Sequence, residues 1–578
     1  MRKHLLCAAL LAGLGVLGLA PGALAKQGGK PREYVVAFDK GTSAKAARAA
    51  VAAAGGRVVH RNRAIGVATV RSSDPAFAAK ARRQAVIAGA ARNAMIGHAP
   101  GAGSKQGPPW REVESEPSNG RSGRPDAPPV TGDQLSSLQW DMHMIGATAT
   151  GSYARQQGSK AVRIGVMDTG IDGSHPDIAP NFDSELSRNF TRDNPVEGVD
   201  DGPCEFPSCI DPPNVDDDGH GTHVAGTIGA ALNGIGVGGV APQVDLVNVR
   251  VGQDSGFFLL QPFLDGLTYA ADNGIDVVNM SFFIDPWLFN CAANPADSPE
   301  ERAQQRQIIE LTERAAAYAR AHGVTIIAAA GNEATDLGNP TFDDTSPDFP
   351  PDAAKKRQVD NGCLTEPTEA NGVVVVSSVG PVEPNLSPFP RKSYFSNYGV
   401  EQTDVAAPGG DSRVFFGTPQ FNAPQNRILN AYPLNVAQAC GEVDANGVPN
   451  GVTTCAVNAR PGTNQRAVPL VRDCFNGTCA LYQWIQGTSM AAPHAVGVAA
   501  LIVASEGRRD RAHPGLTMSP GRVARILRDT ATDTPCPAQE PFVYPFDTAG
   551  DFTARCVGNA DFNGFYGDGI VNAQRASH

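Results

Sequence analysis

Asp168, His220 and Ser489 lie far apart in the chain. Each sits among small or apolar neighbours: Val166-Met167-Asp168-Thr169-Gly170, His220-Gly221-Thr222-His223-Val224-Ala225-Gly226-Thr227 and Gly487-Thr488-Ser489-Met490-Ala491-Ala492-Pro493-His494. An acid, an imidazole and a hydroxyl are the parts of an activated nucleophile. A serine hydroxyl attacks poorly until a base within hydrogen-bond reach takes its proton. The base in turn needs an acid that holds its tautomer and stabilises the imidazolium. Singly, each residue has an ordinary use: Asp168 as a turn or cap residue, Ser489 as a helix N-cap, His220 with His223 as a zinc-binding pair. No glutamate stands near these histidines as in HExxH. Ala491 stands where the GxSxG elbow of an α/β-hydrolase requires its second glycine, which disfavours an esterase of that fold.

From about Gly132 onward, apolar runs alternate with helical periodicities. Strands are predicted over 162–168, 244–251, 275–281, 324–330 and 372–379, and helices over 259–273, 299–322, 488–505 and 518–530. Continuous Val/Ile runs between helices indicate a doubly wound α/β fold, a mostly parallel sheet with helices on both faces. Ligands on such sheets bind beyond the carboxyl ends of the strands. Asp168, Ser281 and Asn332 all fall at those ends, so one shared site is expected. Ser489 enters a long apolar helix from a glycine turn, where free N–H groups and the positive dipole end favour negative charge on a substrate oxygen.

The order Asp–His–Ser and the three segments around these residues resemble the signatures of the subtilisin-like serine proteases (subtilases), over residues 133–578. Chain order is informative because unrelated folds reach the same geometry with different orders. The resemblance implies a serine endopeptidase working through an acyl-enzyme. Ser489 would be the nucleophile, His220 the general base and then acid, Asp168 its orienting partner and His223 structural. Asn332, after Ala328-Ala329-Ala330-Gly331, would donate to the oxyanion; losing such a donor typically costs about 10²–10³ in turnover. An extended polypeptide substrate would lie along the edge carrying Ser281, Phe282 and Phe283, with Ala329, Ala330 and Gly331 on the opposite wall of the primary pocket. Phe283 stands where many relatives have glycine. Glu369 is placed near the pocket base, either facing a basic substrate side chain or solvated in its loop. Residues 231–237 match in length a loop that wraps a structural calcium in many relatives. Asn233 would give a side-chain oxygen, Ala231, Ile235 and Val237 carbonyls, and Asp133 and Asp177 carboxylates, a hard-oxygen set suited to calcium. A glycine-rich turn without metal is the other reading. No organic cofactor is implied.

At 578 residues, 41% hydrophobic and 19% charged, the chain has material for a sizeable core and more than one unit. Arg2, Lys3 and His4, the apolar run Leu5–Leu19 and Ala23-Leu24-Ala25 read as an export signal over 1–25. No later segment reads as long and apolar enough to span a bilayer. Ten of the 11 cysteines lie beyond Cys7, enough for five disulfides in an exported protein. Cys204/Cys209, Cys474/Cys479, Cys440/Cys455 and Cys536/Cys556 could pair, leaving Cys291 and Cys363; spacing does not select among the connectivities.

Residues 26–130 carry 18 Lys+Arg against 7 Asp+Glu, whereas residues 131–578 carry a net −24. The arginines are scattered and aromatics are few, so nucleic acid is not an expected partner. Electrostatic docking of the basic part onto the acidic part is simpler. A strand over 32–39, a Ser43-capped helix over 44–54, a strand-like stretch over 57–71 and a helix over 75–95 make an α+β unit, residues 26–97. It resembles the inhibitor-type propeptide of subtilases and would act as an intramolecular inhibitor. Residues 98–132 read as an exposed linker in which maturation cuts. Residues 410–484 hold four cysteines and read as a disulfide-stapled insertion. A monomer is expected.

Overall fold

Why the chain changes character near Gly132 is visible in the computed structural model, which describes residues 31–93, 113, 114, 116, 118, 128–193, 204–348, 354–453, 455, 465–466 and 470–577. The export signal over 1–25 lies outside them. The N-terminal unit runs β1 (Arg32–Phe38), α1 (Ala44–Ala53), β2 (Arg57–Asn62), β3 (Val67–Ser72), α2 (Phe77–Ala81) and β4 (Ile87–Arg92). Ser43 caps α1, its Oγ accepting the Ala46 N–H at 3.2 Å. The strands form an antiparallel sheet in the order β2-β3-β1-β4.

Two expectations change here. The stretch 57–71 is a hairpin turning at 63–66 rather than one strand. The predicted helix over 75–95 keeps only α2, because 87–92 instead pairs with the open edge of β1. Pairing satisfies backbone groups that an isolated alanine-rich helix could not bring to the sheet, and tertiary context overrides propensity.

The larger unit contains α3 (Trp140–Ile145), β5 (Arg163–Met167), β6 (Arg188–Asn189), α4 (His220–Gly229), β7 (Asp245–Arg250), α5 (Leu260–Asp272), β8 (Val277–Met280), α6 (Pro299–Ala321), β9 (Thr325–Ala329), β10 (Val374–Val379), β11 (Val405–Pro408), β12 (Ile428–Tyr432), β13 (Leu470–Phe475), β14 (Thr478–Ile485), α7 (Thr488–Glu506) and α8 (Pro520–Asp529). Seven strands form a parallel sheet in the order β11-β10-β9-β8-β5-β7-β6. The five predicted strands are all in it. Edge strands β6 and β11 are too short for periodicity to reveal. One core cluster joins α4, α7 and α8 to the sheet, and another joins α5 and α6 to its other face.

By length and composition α7 could cross a membrane, contrary to the sequence expectation, yet 89% of its apolar window is buried inside the fold. It is the central core helix. Five disulfides close Cys204–Cys209, Cys291–Cys363, Cys440–Cys455, Cys474–Cys479 and Cys536–Cys556. Within 410–484, β12, β14 and β13 make a three-stranded antiparallel sheet, and β14 leads directly into the turn before Ser489.

The N-terminal sheet lies on α5 and α6. Val35, Ala37, Ile65 and Val67 join their apolar cluster. The buried amides Gln307 and Asn62 donate across the junction, to the Val35 carbonyl at 2.7 Å and to Thr268 Oγ1 at 2.7 Å. Arg82 pairs with Glu300 at 2.8 Å. Apolar burial and amide hydrogen bonds thus act alongside the charge attraction expected from composition.

Candidate active site

β5 delivers Asp168 to the carboxyl edge of the sheet. Its Oδ1 accepts the Thr169 N–H at 2.8 Å and lies 2.8 Å from His220 Nδ1. His220 opens α4. Gly219 turns the chain at φ 101°, a conformation open mainly to glycine. Asp216 secures that turn: Oδ1 accepts from Gly219 N–H at 2.9 Å, and Oδ2 accepts from Thr222 N–H at 2.9 Å and its hydroxyl at 2.6 Å. A carboxylate at a helix N-terminus is favoured by the free N–H groups and the dipole. Gly221 is required by close approach, since a Cβ there would meet the Gly170 carbonyl oxygen at 2.1 Å. His223 Nε2 faces the Gln483 carbonyl at 3.1 Å. Burial, then the neighbouring His220, lower its pKa to about 3, which fits a neutral structural residue.

Ser489 is the second residue of α7. Pro493, four residues on, has no N–H to give the Ser489 carbonyl, and Ser281 Oγ donates to that carbonyl instead, at 3.0 Å. The Ser489 hydroxyl points at the Ser281 carbonyl, 3.3 Å away. Asn332 is oriented by Thr488, whose N–H and hydroxyl both donate to its Oδ1 at 2.9 Å. Its Nδ2 is thereby turned toward the cleft.

A carboxylate lies there already. Glu114, buried, accepts from Asn332 Nδ2 at 3.4 Å through Oε1 and lies 3.4 Å from His220 Nε2 through Oε2. Burial alone would lower the His220 pKa, but Asp168 and Glu114 on either side of the ring raise it to about 10. Glu116, from the same segment, is held by Ser412, Tyr394, Gln486 and Arg413. Sequence reading passed over both glutamates. The signal was there: Glu112, Glu114 and Glu116 alternate within an otherwise basic region.

Beside Ser489 a pocket is lined by Ser281, Phe282, Phe283, Ala329 and Gly331, together with Leu288, Thr365, Thr368 and Glu333. Phe282 stacks on Phe258 at 4.2 Å. Two expected residues are elsewhere. Ala330 is fully buried behind the wall, its carbonyl accepting from Asn397 at 3.0 Å, because successive residues of an extended segment face opposite ways. Glu369 accepts from Thr365 N–H at 2.8 Å and burial raises its pKa to about 7; it does not line the pocket, and Glu333 is the carboxylate that does.

The 231–237 loop meets both distant aspartates. Asp133 Oδ1 accepts from Asn233 N–H at 3.1 Å, and Asp177 Oδ2 accepts from Tyr482 Oη at 2.9 Å and Val237 N–H at 3.2 Å. Asn233 Nδ2 donates to Asp177 Oδ1 at 3.2 Å, and its Oδ1 accepts from Ile235 N–H at 3.1 Å. Ala231 N–H donates to the Asp177 carbonyl at 2.8 Å. Burial, and then nearby Asp133, raise the Asp177 pKa to about 7. Both carboxylates are met here by N–H and O–H donors, and Asn233 turns Nδ2 rather than Oδ1 to Asp177; an ion there would take over the carboxylate oxygens.

The profile described as "Subtilase family" matches residues 159–567. The chain is 29% identical over 261 residues to the major intracellular serine protease of Bacillus subtilis (strain 168), covering 44% of this chain and 68% of that one. It is 26% identical over 372 residues to subtilisin DY of Bacillus licheniformis, covering 64% and 84%. Among solved structures, the epidermin leader peptide processing serine protease of Staphylococcus aureus superposes with a TM-score of 0.57 at 20% identity, covering 95% of this chain and 98% of that one. Fervidolysin of Fervidobacterium pennivorans, a keratinolytic enzyme related to subtilisin, superposes with a TM-score of 0.52 at 19% identity, covering 96% and 62%. These structural matches speak to the fold.

Proposed function

The chain belongs to the subtilase family and is a serine endopeptidase, and from that premise we propose that Asp168, His220 and Ser489 form its catalytic triad in an exported, self-processed precursor. Ser489 Oγ attacks the peptide carbonyl while His220 Nε2 takes its proton. The same imidazolium returns the proton to the leaving amine, and water then releases the acyl group by the reverse relay. Asp168, bonded to Nδ1, holds the tautomer without taking the proton. Asn332 Nδ2 and the Ser489 N–H hold the oxyanion.

One observation carries most of this reading: His220 Nε2 and Asn332 Nδ2 converge on a single carboxylate at 3.4 Å each. Glu114 stands in for the charged, oxygen-bearing centre that a transition state would place there. In the unprocessed chain it also favours the imidazolium, which cannot accept the serine proton. The segment therefore inhibits twice, by occupancy and by charge. Residues 26–97 serve as the intramolecular inhibitor that carries it. Polypeptides are the substrates. Calcium is proposed at Asp133, Asp177, Asn233 and the carbonyls of Ala231, Ile235 and Val237; a thermal transition unmoved by chelator or added calcium would remove it.

Intact mass of the secreted wild type beside Ser489→Ala tests the whole. Wild type should lose the residues up to its linker, and the variant should keep them. Identical trimming of both would assign maturation to another protease, and reaction of Ser489 with a fluorophosphonate would then decide on activity.

A further inference from the structure

Glu116 occupies a polar pocket of its own. Its Oε2 accepts from Ser412 Oγ at 2.6 Å, Tyr394 Oη at 3.1 Å and Gln486 Nε2 at 3.2 Å. Its Oε1 pairs with Arg413, and its backbone carbonyl accepts from Arg427 Nη2 at 3.0 Å. Several of these groups are also held by contacts outside the linker. Gln486 Oε1 accepts the Ser412 N–H at 2.6 Å, which forces Nε2 toward the cleft. Asp411 Oδ1 accepts the Arg413 N–H at 2.8 Å. The Arg413 guanidinium lies between 5.7 and 5.9 Å from the rings of Tyr394, Phe421 and Phe546. Tyr394 is itself packed edge-on against Phe395, Phe546 and Phe552.

Every group facing the Glu116 carboxyl therefore donates. A carboxylate accepts from all of them and pairs with the Arg413 charge, whereas an amide offers one acceptor oxygen and no charge. The half-buried Arg413 guanidinium and the buried Ser412, Tyr394 and Gln486 donors together favour an acidic side chain. None of the four lines the apolar pocket beside Ser489. Gln486 ties the two places together, because its Nε2 also donates to the Val113 carbonyl at 3.0 Å, one residue before Glu114.

We propose that Ser412, Arg413, Tyr394 and Gln486 form a second specificity subsite that takes an acidic side chain of a peptide substrate, and that Glu116 fills it in the unprocessed chain. The proposal rests on the endopeptidase reading above. Once the linker leaves, a substrate Glu or Asp at the matching position takes over the same donors.

Two measurements test it. In full-length Ser489→Ala, limited proteolysis by an added protease reports how firmly residues 110–120 are held. Glu116→Gln or Arg413→Gln should speed nicking about tenfold, the scale of lost charge-assisted hydrogen bonds, and Arg413→Lys, which keeps the charge, should speed it less. Unchanged nicking in both Gln variants overturns the proposal. Given a mixed peptide library, matured wild type should enrich Glu at one fixed position of the cut, with kcat/KM about tenfold above the Gln peptide. That ratio should fall to near one in Arg413→Gln and fall less in Ser412→Ala, which keeps the charge; thermal unfolding of each variant confirms that it is folded. Absence of acidic enrichment, or enrichment that survives Arg413→Gln, overturns the proposal. A chain that cuts no peptide would instead strike the endopeptidase reading, and the nicking measurement would still decide on the carboxylate pocket.

Discussion

His220 and His494 are both buried against carboxylates, Asp168 at 2.8 Å and Asp141 at 3.0 Å. By burial and distance the two pairs are alike. They differ at the second ring nitrogen. His494 gives Nε2 to Asp141 on α3 and Nδ1 to the Met490 carbonyl at 2.7 Å within its own helix, so both nitrogens are committed to the fold. His220 gives Nδ1 to Asp168 and turns Nε2 to the cleft, where Glu114 lies. On the function proposed above, a histidine–carboxylate pair is a structural clamp or a proton relay according to what its other nitrogen faces.

Breaking that comparison begins with the proposed triad. Ser489→Ala or His220→Ala should lower peptide turnover by about 10⁴–10⁶-fold, and Asp168→Asn by about 10⁴-fold, as a wrong tautomer does elsewhere. Steady-state kinetics on one peptide reads all three. His494→Ala should leave kcat per folded molecule within about threefold, yet lower stability by about 3–5 kcal/mol, because Asp141 is left buried and unpaired. Urea unfolding measures the second effect. Large loss of kcat in His494→Ala without loss of stability would erase the distinction between the pairs.

A smaller effect follows from pH. In the intact chain His220 titrates at about 10, held up by Asp168 and Glu114 against the effect of burial. A raised pKa favours the charged form in the folded state. The stabilisation is complete below the ordinary histidine value of about 6.5 and is lost as pH rises through about 10. Release of the linker should accelerate between neutral pH and 10, and Glu114→Gln should flatten most of that rise. Nicking of full-length Ser489→Ala across this range gives the profile, and a pH-independent rate would remove Glu114 from the switch.

The parts of the fold legible in the chain were those written in local patterns. Buried parallel strands carry unbroken Val/Ile runs because both faces are covered, and long helices carry their period. The stretch 75–95 misled because alanine and arginine favour helix wherever no strand edge competes, and β1 offered one. Ala330 was placed on the pocket wall by its neighbours' company, but backbone alternation turned it inward. Glu369 was placed near the pocket by proximity in the chain, whereas Glu333, beside Asn332, reaches it.

Taken alone, the sequence determined the sheet, its helices and the three polar residues at its edge, because periodicity and short motifs act over a few neighbours. Which second nitrogen faces a cleft, which cysteine closes on Cys291, and that two glutamates of a charged linker enter the site were settled only in three dimensions. Each depends on contacts between segments 72 or more residues apart, or on a direction that side chains take only once both partners are packed.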